Sequence, residues 1–447
     1  MTLPALPSSR LEQVYDFIIR EEDGRTCEAI PDAACTDVPR NFILNTLNGS
    51  ATKLAEQIAS PGLVLPWLLA ALGTPTALAG LLVPIREAGA LLPQLSVAGR
   101  VRRFPLRKWF WVGAGLTQAG ALALMIVAAL SLAPVAAGIA IVALLALFSV
   151  ASGVGSVAVS DVLGTTMPRG RRGRLLALRA TIGGGLALLA GFVLRTYVAD
   201  ASDVRPYLVL LGAAAGLWFV AALLFALIEE TPGVTGGGRN GLQEAKAGLA
   251  LLRQGQGFRL FILARVLLLS VELVVPFYTL YARQMIGSEV QNLATFVMAS
   301  GLAAVLCSPF WRPFADRSSR LDMAWAGAMA VATSAFALLF GALPAAWRTA
   351  TVYALVFLLI GFAQAGVRVG RKTYLVDGAP AEERPLYVAL SNSLVGVITL
   401  ASGAFGLVAE GFGVRILLVI FSILIGLGIV AAWRMPEAER MTVGSGQ

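Results

Sequence analysis

Twelve stretches of roughly 20 or more mainly apolar residues, each long enough to cross a lipid bilayer, dominate this chain of 447 residues. Breaks at Pro, Gly and charge clusters place the first six at 41–71, 76–98, 108–131, 134–158, 174–195 and 206–228. The last six fall at 258–282, 289–314, 321–342, 350–370, 386–409 and 413–433. Charged residues make up only 14% of the chain, against a usual ~25% in soluble proteins, too few to cover a core of this size in water. The predicted fold class is therefore an all-α polytopic membrane protein with 12 transmembrane helices. The first segment is long and is expected to bend at SPG (60 to 62), because Pro61 lacks the backbone donor a straight helix requires.

The breaks define five regions. Residues 1–39 form a cytoplasmic N-terminal segment, in which SRLEQVYDFII predicts an amphipathic helix: Ser9 and Glu12 have capping-box spacing, and Leu11, Val14, Tyr15 and Ile18 share a face. Residues 40–228 form a six-helix bundle and 258–434 a second. Between them, 229–257 is a cytoplasmic linker, Pro/Gly-rich at first and then able to form a surface helix over NGLQEAKAGLALLRQ. A cytoplasmic tail, 435–447, ends the chain.

The net charge of +9 is unevenly placed. One set of loops holds GRVRRFPLRK (99–108), Arg169, Arg171, Arg172 and Arg174, then Arg239, Lys246, Arg253 and Arg259. The same side holds Arg312, Arg317, Arg320, Arg371, Lys372 and Arg384. The other side holds only Arg195, Arg205, Arg283, Arg348 and Arg415. The positive-inside rule then puts both termini in the cytoplasm, and the expected location is the bacterial inner (plasma) membrane. Basic loops in such a chain report orientation and contact with lipid headgroups before nucleic acid, and no nucleic-acid partner is expected.

Several chemistries are excluded. The chain has no His, and its three cysteines are Cys27, Cys35 and Cys307, so a zinc centre or a Cys/His nucleophile pair is not expected. No GxxxxGK[ST] loop occurs, so ATP does not drive the protein directly. No cofactor, no metal and no enzymatic activity are expected.

The two halves echo each other. GVGSVAVSDVLGTTMPRGRRGRL leads out of the fourth span, and GVRVGRKTYLVDGAPAEERPLY out of the tenth. Gly153 matches Gly366, Pro168 matches Pro380, and Arg172 matches Arg384. PQLSVAGRVRR after the second span likewise parallels PFWRPFADRSSR after the eighth. Equivalent loops six spans apart on one membrane side imply two parallel, pseudo-symmetric six-helix bundles.

Over residues 40 to 434 the sequence resembles the major facilitator superfamily (MFS), whose members carry a loop of the form G-x-x-x-D-R-x-x-R-R after the second span, often repeated after the eighth. The second copy is FADRSSR, with Asp316, Arg317 and Arg320 in matching positions. The resemblance implies that these three form a conformational latch. In the first copy, aligned on Pro93 and Pro309, Arg100 stands where Asp316 stands, so the two halves should not be latched alike. The fourth span lacks the buried Arg common in proton-coupled members. The fifth has Gly183 to Gly185 but not the Pro of the antiporter signature, which disfavours a drug/proton antiporter.

Charges at membrane depth cost at least ~2.5–3.5 kcal/mol each on insertion scales and therefore tend to face a cavity. The first span carries Lys53 and Glu56, the second Arg86 and Glu87, and the seventh Arg265 and Glu272. The first also carries a polar face, with Asn41, Asn45, Asn48, Thr52, Glu56 and Ser60 spaced by three or four, which should line water or protein. Gln94, Gln364, Ser391, Asn392 and Ser393 are further candidates for the same cavity. The alternative is that these charges form structural ion pairs. Arg368 reads as an interface anchor, and Tyr278 and Tyr281 as interfacial aromatics.

The expected function is a secondary active transporter that moves a small solute by alternating access. It would be coupled to protons through Glu56 or Glu272, since a carboxyl in a low-dielectric cavity suits a proton carrier. A monomer in contact with membrane lipids is expected. The competing readings are an uncoupled facilitator, a carrier of amphipathic lipids or drugs, and a non-transporting membrane receptor or scaffold.

Overall fold

The computed structural model describes residues 36–101, 103–197, 204–232, 256–315, 317–380, 383–438 and 441, and among them every regular element is helical. The expected amphipathic helix at 9–18, the linker helix at 240–254, Cys27, Cys35 and Asp316 lie outside the described residues.

The first helix, α1 (Val38–Ile58), starts with a Pro in its first turn and stops short of Pro61. The chain turns where Ser60 Oγ accepts the Gly62 N–H at 3.3 Å, then resumes as α2 (Val64–Ala71). The first half continues with α3 (Thr76–Val101), α4 (Lys108–Ser131), α5 (Pro134–Thr166), α6 (Arg169–Tyr197) and α7 (Arg205–Ala226). The second half opens with α8 (Gln256–Leu268), the short α9 (Ser270–Leu273) and α10 (Val275–Ile286). It continues with α11 (Val290–Ala315), α12 (Ser319–Leu339), α13 (Ala350–Gly378), α14 (Arg384–Ala401), α15 (Phe405–Phe412) and α16 (Val414–Arg434). Eleven helical stretches among the described residues are long and apolar enough to cross a membrane. The polar α1 and the short α2 together occupy the remaining segment of the twelve-segment reading.

The packing repeats. In the first half α4 packs on α5, α3 on α5, α4 on α7, and α1 on both α6 and α7. In the second half α12 packs on α13, α11 on α13, α12 on α16, and α8 on both α14 and α16. Each pair in one half has its counterpart in the other. The broadest contacts between the halves are α6 with α11 and α3 with α14, which are themselves counterparts, and α3 also meets α15 while α2 meets α10.

Close approach across the joints needs small residues, because lipid supplies no hydrophobic drive to bring helices together. A Cβ added at Gly301 of α11 would lie 2.8 Å from the Leu188 backbone nitrogen and 3.0 Å from the Gly184 carbonyl of α6. A Cβ at Gly406 of α15 would lie 2.5 Å from the Ala77 carbonyl of α3. Within each half the filling is aromatic: Trp111 stacks on Phe225 in the first, and Phe296 on Phe357 in the second.

The outer surface is apolar, as lipid requires. Ile416, Val419, Ile423, Leu427 and Val430 of α16 are spaced by three or four and all exposed. Exposed Trp109 and Trp433 stand at helix ends on one face, the position of an interfacial belt. That face also gathers the start of α1, the end of α7 and the start of α4. Asn41 and Glu229 exchange two 2.9 Å hydrogen bonds there, and Glu230 accepts the Lys108 N–H at 2.8 Å. We call it the terminal face and its opposite the far face. In the second half Arg320 Nε donates to Glu437 at 2.6 Å at the matching place, tying the start of α12 to the chain beyond α16.

Candidate functional site

A cavity of about 560 Å³ lies between the halves. Its charged lining is Lys53, Glu56, Arg86 and Glu87 from the first half and Glu272, Arg368 and Arg371 from the second. Local breaks put the carboxylates there. Glu56 sits in the last turn of α1, just ahead of the Pro61 interruption. Glu272 sits in α9, and Pro276, at the start of α10, has no N–H to offer the Glu272 carbonyl.

The first half builds a triad. Glu56 accepts from Lys53 Nζ at 2.7 Å and from Arg86 Nη2 at 3.3 Å, one bond to each oxygen. The Arg86 guanidinium also lies 5.5 Å from the centre of the Phe148 ring, a cation–π contact that fixes its plane. The second half builds a pair, with Arg368 Nη2 donating to Glu272 Oε1 at 3.2 Å. Arg371 lies one turn further along α13 and faces the same cavity.

The other sequence candidates are placed as follows. Gln364 lines the cavity, and Gln94 donates to Ser156, a lining residue, at 3.0 Å. Arg265 is buried beside α14, where it donates to Ser391 and, at 2.8 Å, to Asn392. Asn45 accepts from Arg179 of α6 at 3.1 Å, and Asn48 donates to the Ala221 carbonyl of α7 at 2.8 Å. Thr52 bonds within its own helix, to the Gly49 carbonyl at 3.0 Å. The polar face of α1 thus divides: Asn41, Asn45 and Asn48 meet protein, while Glu56 and Ser60 reach the cavity. Of the latch residues, Arg320 bonds Glu437 and the Trp433 and Met435 carbonyls, and Arg317 is exposed.

Three sequence readings are corrected. Arg368 is no interface anchor, since it pairs with Glu272 inside the cavity. Arg371, counted with the loop after the tenth span, belongs to α13, which runs on to Gly378. Tyr278 and Tyr281 are buried rather than interfacial: Tyr278 Oη meets Ser334 Oγ at 2.5 Å, and the Tyr278 carbonyl accepts from Tyr353 at 3.0 Å. Arg179 was not singled out by sequence. Its signal was an Arg well inside the 174–195 segment, opposite an asparagine stripe.

Among the described residues, four hydrogen bonds join the halves at the far face. Thr279 donates to the Gly62 carbonyl at 2.8 Å, Arg283 to the Trp67 carbonyl at 3.0 Å, Arg195 to Thr295 at 3.0 Å, and the Ala77 N–H to Glu410 at 3.0 Å.

Two pseudo-symmetric helical bundles around a central charged cavity define a membrane transporter. The family model of the major facilitator superfamily matches residues 46–393, and the chain belongs to that family. It is 27% identical over 418 residues to uncharacterised proteins of Mycobacterium tuberculosis and Mycobacterium bovis, covering 90% of this chain and 79% of each relative. Its fold is similar to that of a D-xylose–proton symporter, with a TM-score of 0.68 at 13% identity, covering 89% of this chain and 98% of the other. The inward-open xylose transporter of E. coli is similar at 0.64 and 15% identity (90% and 97% covered), and a nucleoside transporter at 0.61 and 14% (88% and 98%).

Proposed function

We propose that this chain is a secondary active transporter in which protonation of Glu272 is linked to solute movement by alternating access. The observation that carries this reading is the lone Glu272–Arg368 pair on an interrupted helix inside the cavity. A proton on Glu272 releases one guanidinium, Arg368, which is then free to take a substrate group or a new partner. A proton on Glu56 would instead leave Lys53 and Arg86 facing each other without an anion. Glu272 is therefore the carrier, and the Glu56 triad holds α1 against α3.

Both termini lie in the cytoplasm on this reading, supported by the basic residues gathered in the loops of the terminal face. The far-face hydrogen bonds then close the external side, and the arrangement corresponds to an inward-facing state. The molecule works as a monomer, its path running between its own halves. A protein of similar fold is named a D-xylose–proton symporter, which motivates the coupling but not the substrate. The test is uptake into proteoliposomes with and without a pH gradient. Accumulation that follows the gradient supports coupling, and accumulation indifferent to it leaves an uncoupled facilitator.

A further inference from the structure

The cavity's charges do not all cancel. Lys53 and Arg86 are taken by Glu56, and Arg368 by Glu272. Two charged side chains remain without an ion-pair or hydrogen-bond partner among the described residues: the Glu87 carboxylate of α3 and the Arg371 guanidinium of α13. They have opposite sign, and they stand on opposite halves of the molecule. Both line the cavity, yet they do not close to ion-pair distance.

Charges without a partner in a recessed, partly exposed cavity are less fully solvated than in bulk water, and a ligand that supplies the missing partners improves on that. A neutral solute would leave both groups unanswered. A simple carboxylate would answer Arg371 and leave Glu87; a simple amine would do the reverse. One solute chemistry satisfies both, a cation and an anion on one small molecule.

Resting on the transporter reading above, we propose that the substrate is a small zwitterion of the amino-acid or short-peptide class, its ammonium at Glu87 and its carboxylate at Arg371. The guanidinium fork suits a carboxylate, which it can hold by two parallel bonds. Because the two anchors belong to different halves, a bound zwitterion draws α3 and α13 together. Binding and closure of the terminal side thereby become one event. The Glu272 proton adds to this, since the released Arg368 lies one turn from Arg371 and can join it on the same carboxylate.

The test uses the full-length protein purified in detergent, with thermal shift and calorimetric titration as readouts. The probes are L-alanine, γ-aminobutyrate and alanylalanine, which span three separations of the two charges, with propionate, ethylamine and D-xylose beside them. At least one zwitterion is expected to bind, and its single-charge counterparts and xylose to bind at least about tenfold more weakly. Glu87→Gln should erase the advantage of the zwitterion over propionate, and Arg371→Gln its advantage over ethylamine. The ligand series on the unmodified protein stands even if a variant fails to fold. Binding of propionate or xylose equal to or above every zwitterion, or no zwitterion binding at all, overturns the proposal. Counterflow of any other solute through proteoliposomes would then leave the transporter reading intact, whereas absence of transport for every bound solute would remove that reading itself.

Discussion

Arg368 Nη2 donates to Glu272 Oε1 across 3.2 Å, joining the short α9 to α13 within the second half. The corresponding part of the first half holds its carboxylate differently, with Glu56 fastened by both Lys53 and Arg86. One half holds its carboxylate by a single cation, and the other by two. This asymmetry in a pseudo-symmetric molecule organises the expected behaviour of its variants.

The members of the first-half triad should not matter equally. The Arg86 side chain is 18% exposed and that of Lys53 50% exposed, so solvent already screens the lysine. Arg86→Ala is expected to destabilise the protein by about 1–3 kcal/mol, and Lys53→Ala by less than about 1. Thermal unfolding of both variants in one detergent gives the order. A larger drop for Lys53→Ala would mean that Arg86 is not what fastens Glu56.

Much of this architecture was legible in the sequence, and the reason is physical. Apolar length and Pro positions are local properties, so the segments filled by α3 through α16 and the break at Pro61 follow from the chain alone, whereas the division of 258–282 into α8, α9 and α10 and of 386–409 into α14 and α15 does not. Glu56, Arg86 and Glu272 were visible because charge within apolar runs is costly and rare. Arg368 and Arg371 were not, because they lie where a span shades into a basic loop, and only the length of α13 brings them inside. The asparagines of α1 show the converse limit. Helical spacing places Asn45 and Asn48 on a common face, but only packing against α6 and α7 decides that the face meets protein.

On the far face α3 and α15 pack closely against each other. At Gly406 a Cβ would be 2.5 Å from the Ala77 carbonyl, too close for the helices to keep their separation. Gly406→Val is expected to hold that face open. A cysteine at Ser60, in a background with Cys27, Cys35 and Cys307 replaced by serine, should then react several-fold faster with a membrane-impermeant maleimide. Unchanged labelling would show that the far face closes without this contact.

Arg265 joins α8 to α14 through two acceptors, Ser391 and Asn392. A lysine cannot span both as a guanidinium does. Arg265→Lys is expected to lower thermal stability about as much as Arg265→Ala, and Asn392→Ala to cost about 1 kcal/mol. Full rescue by lysine would show that charge alone suffices there.

Glu230 and Glu437 hold equivalent positions in the two halves: Glu230 accepts from the Arg107 and Lys108 N–H groups, and Glu437 from Arg320 and Ser318. Glu437→Gln is expected to loosen the start of α12 and Glu230→Gln the start of α4. Hydrogen exchange at residues 319–323 and 108–112 should rise in the matching variant and not in the other. A rise at both sites in either variant would contradict the independence of the two anchors.

The central claim rests on the proton carried by Glu272, and transport measured on one variant tests it most directly. The solute is the one that most stabilises the purified protein in a thermal-shift screen of metabolites, amphiphiles and drugs. In proteoliposomes, Glu272→Gln should abolish accumulation driven by a pH gradient while leaving exchange of labelled for unlabelled solute in place. Gradient-driven accumulation that persists undiminished in Glu272→Gln would contradict the account.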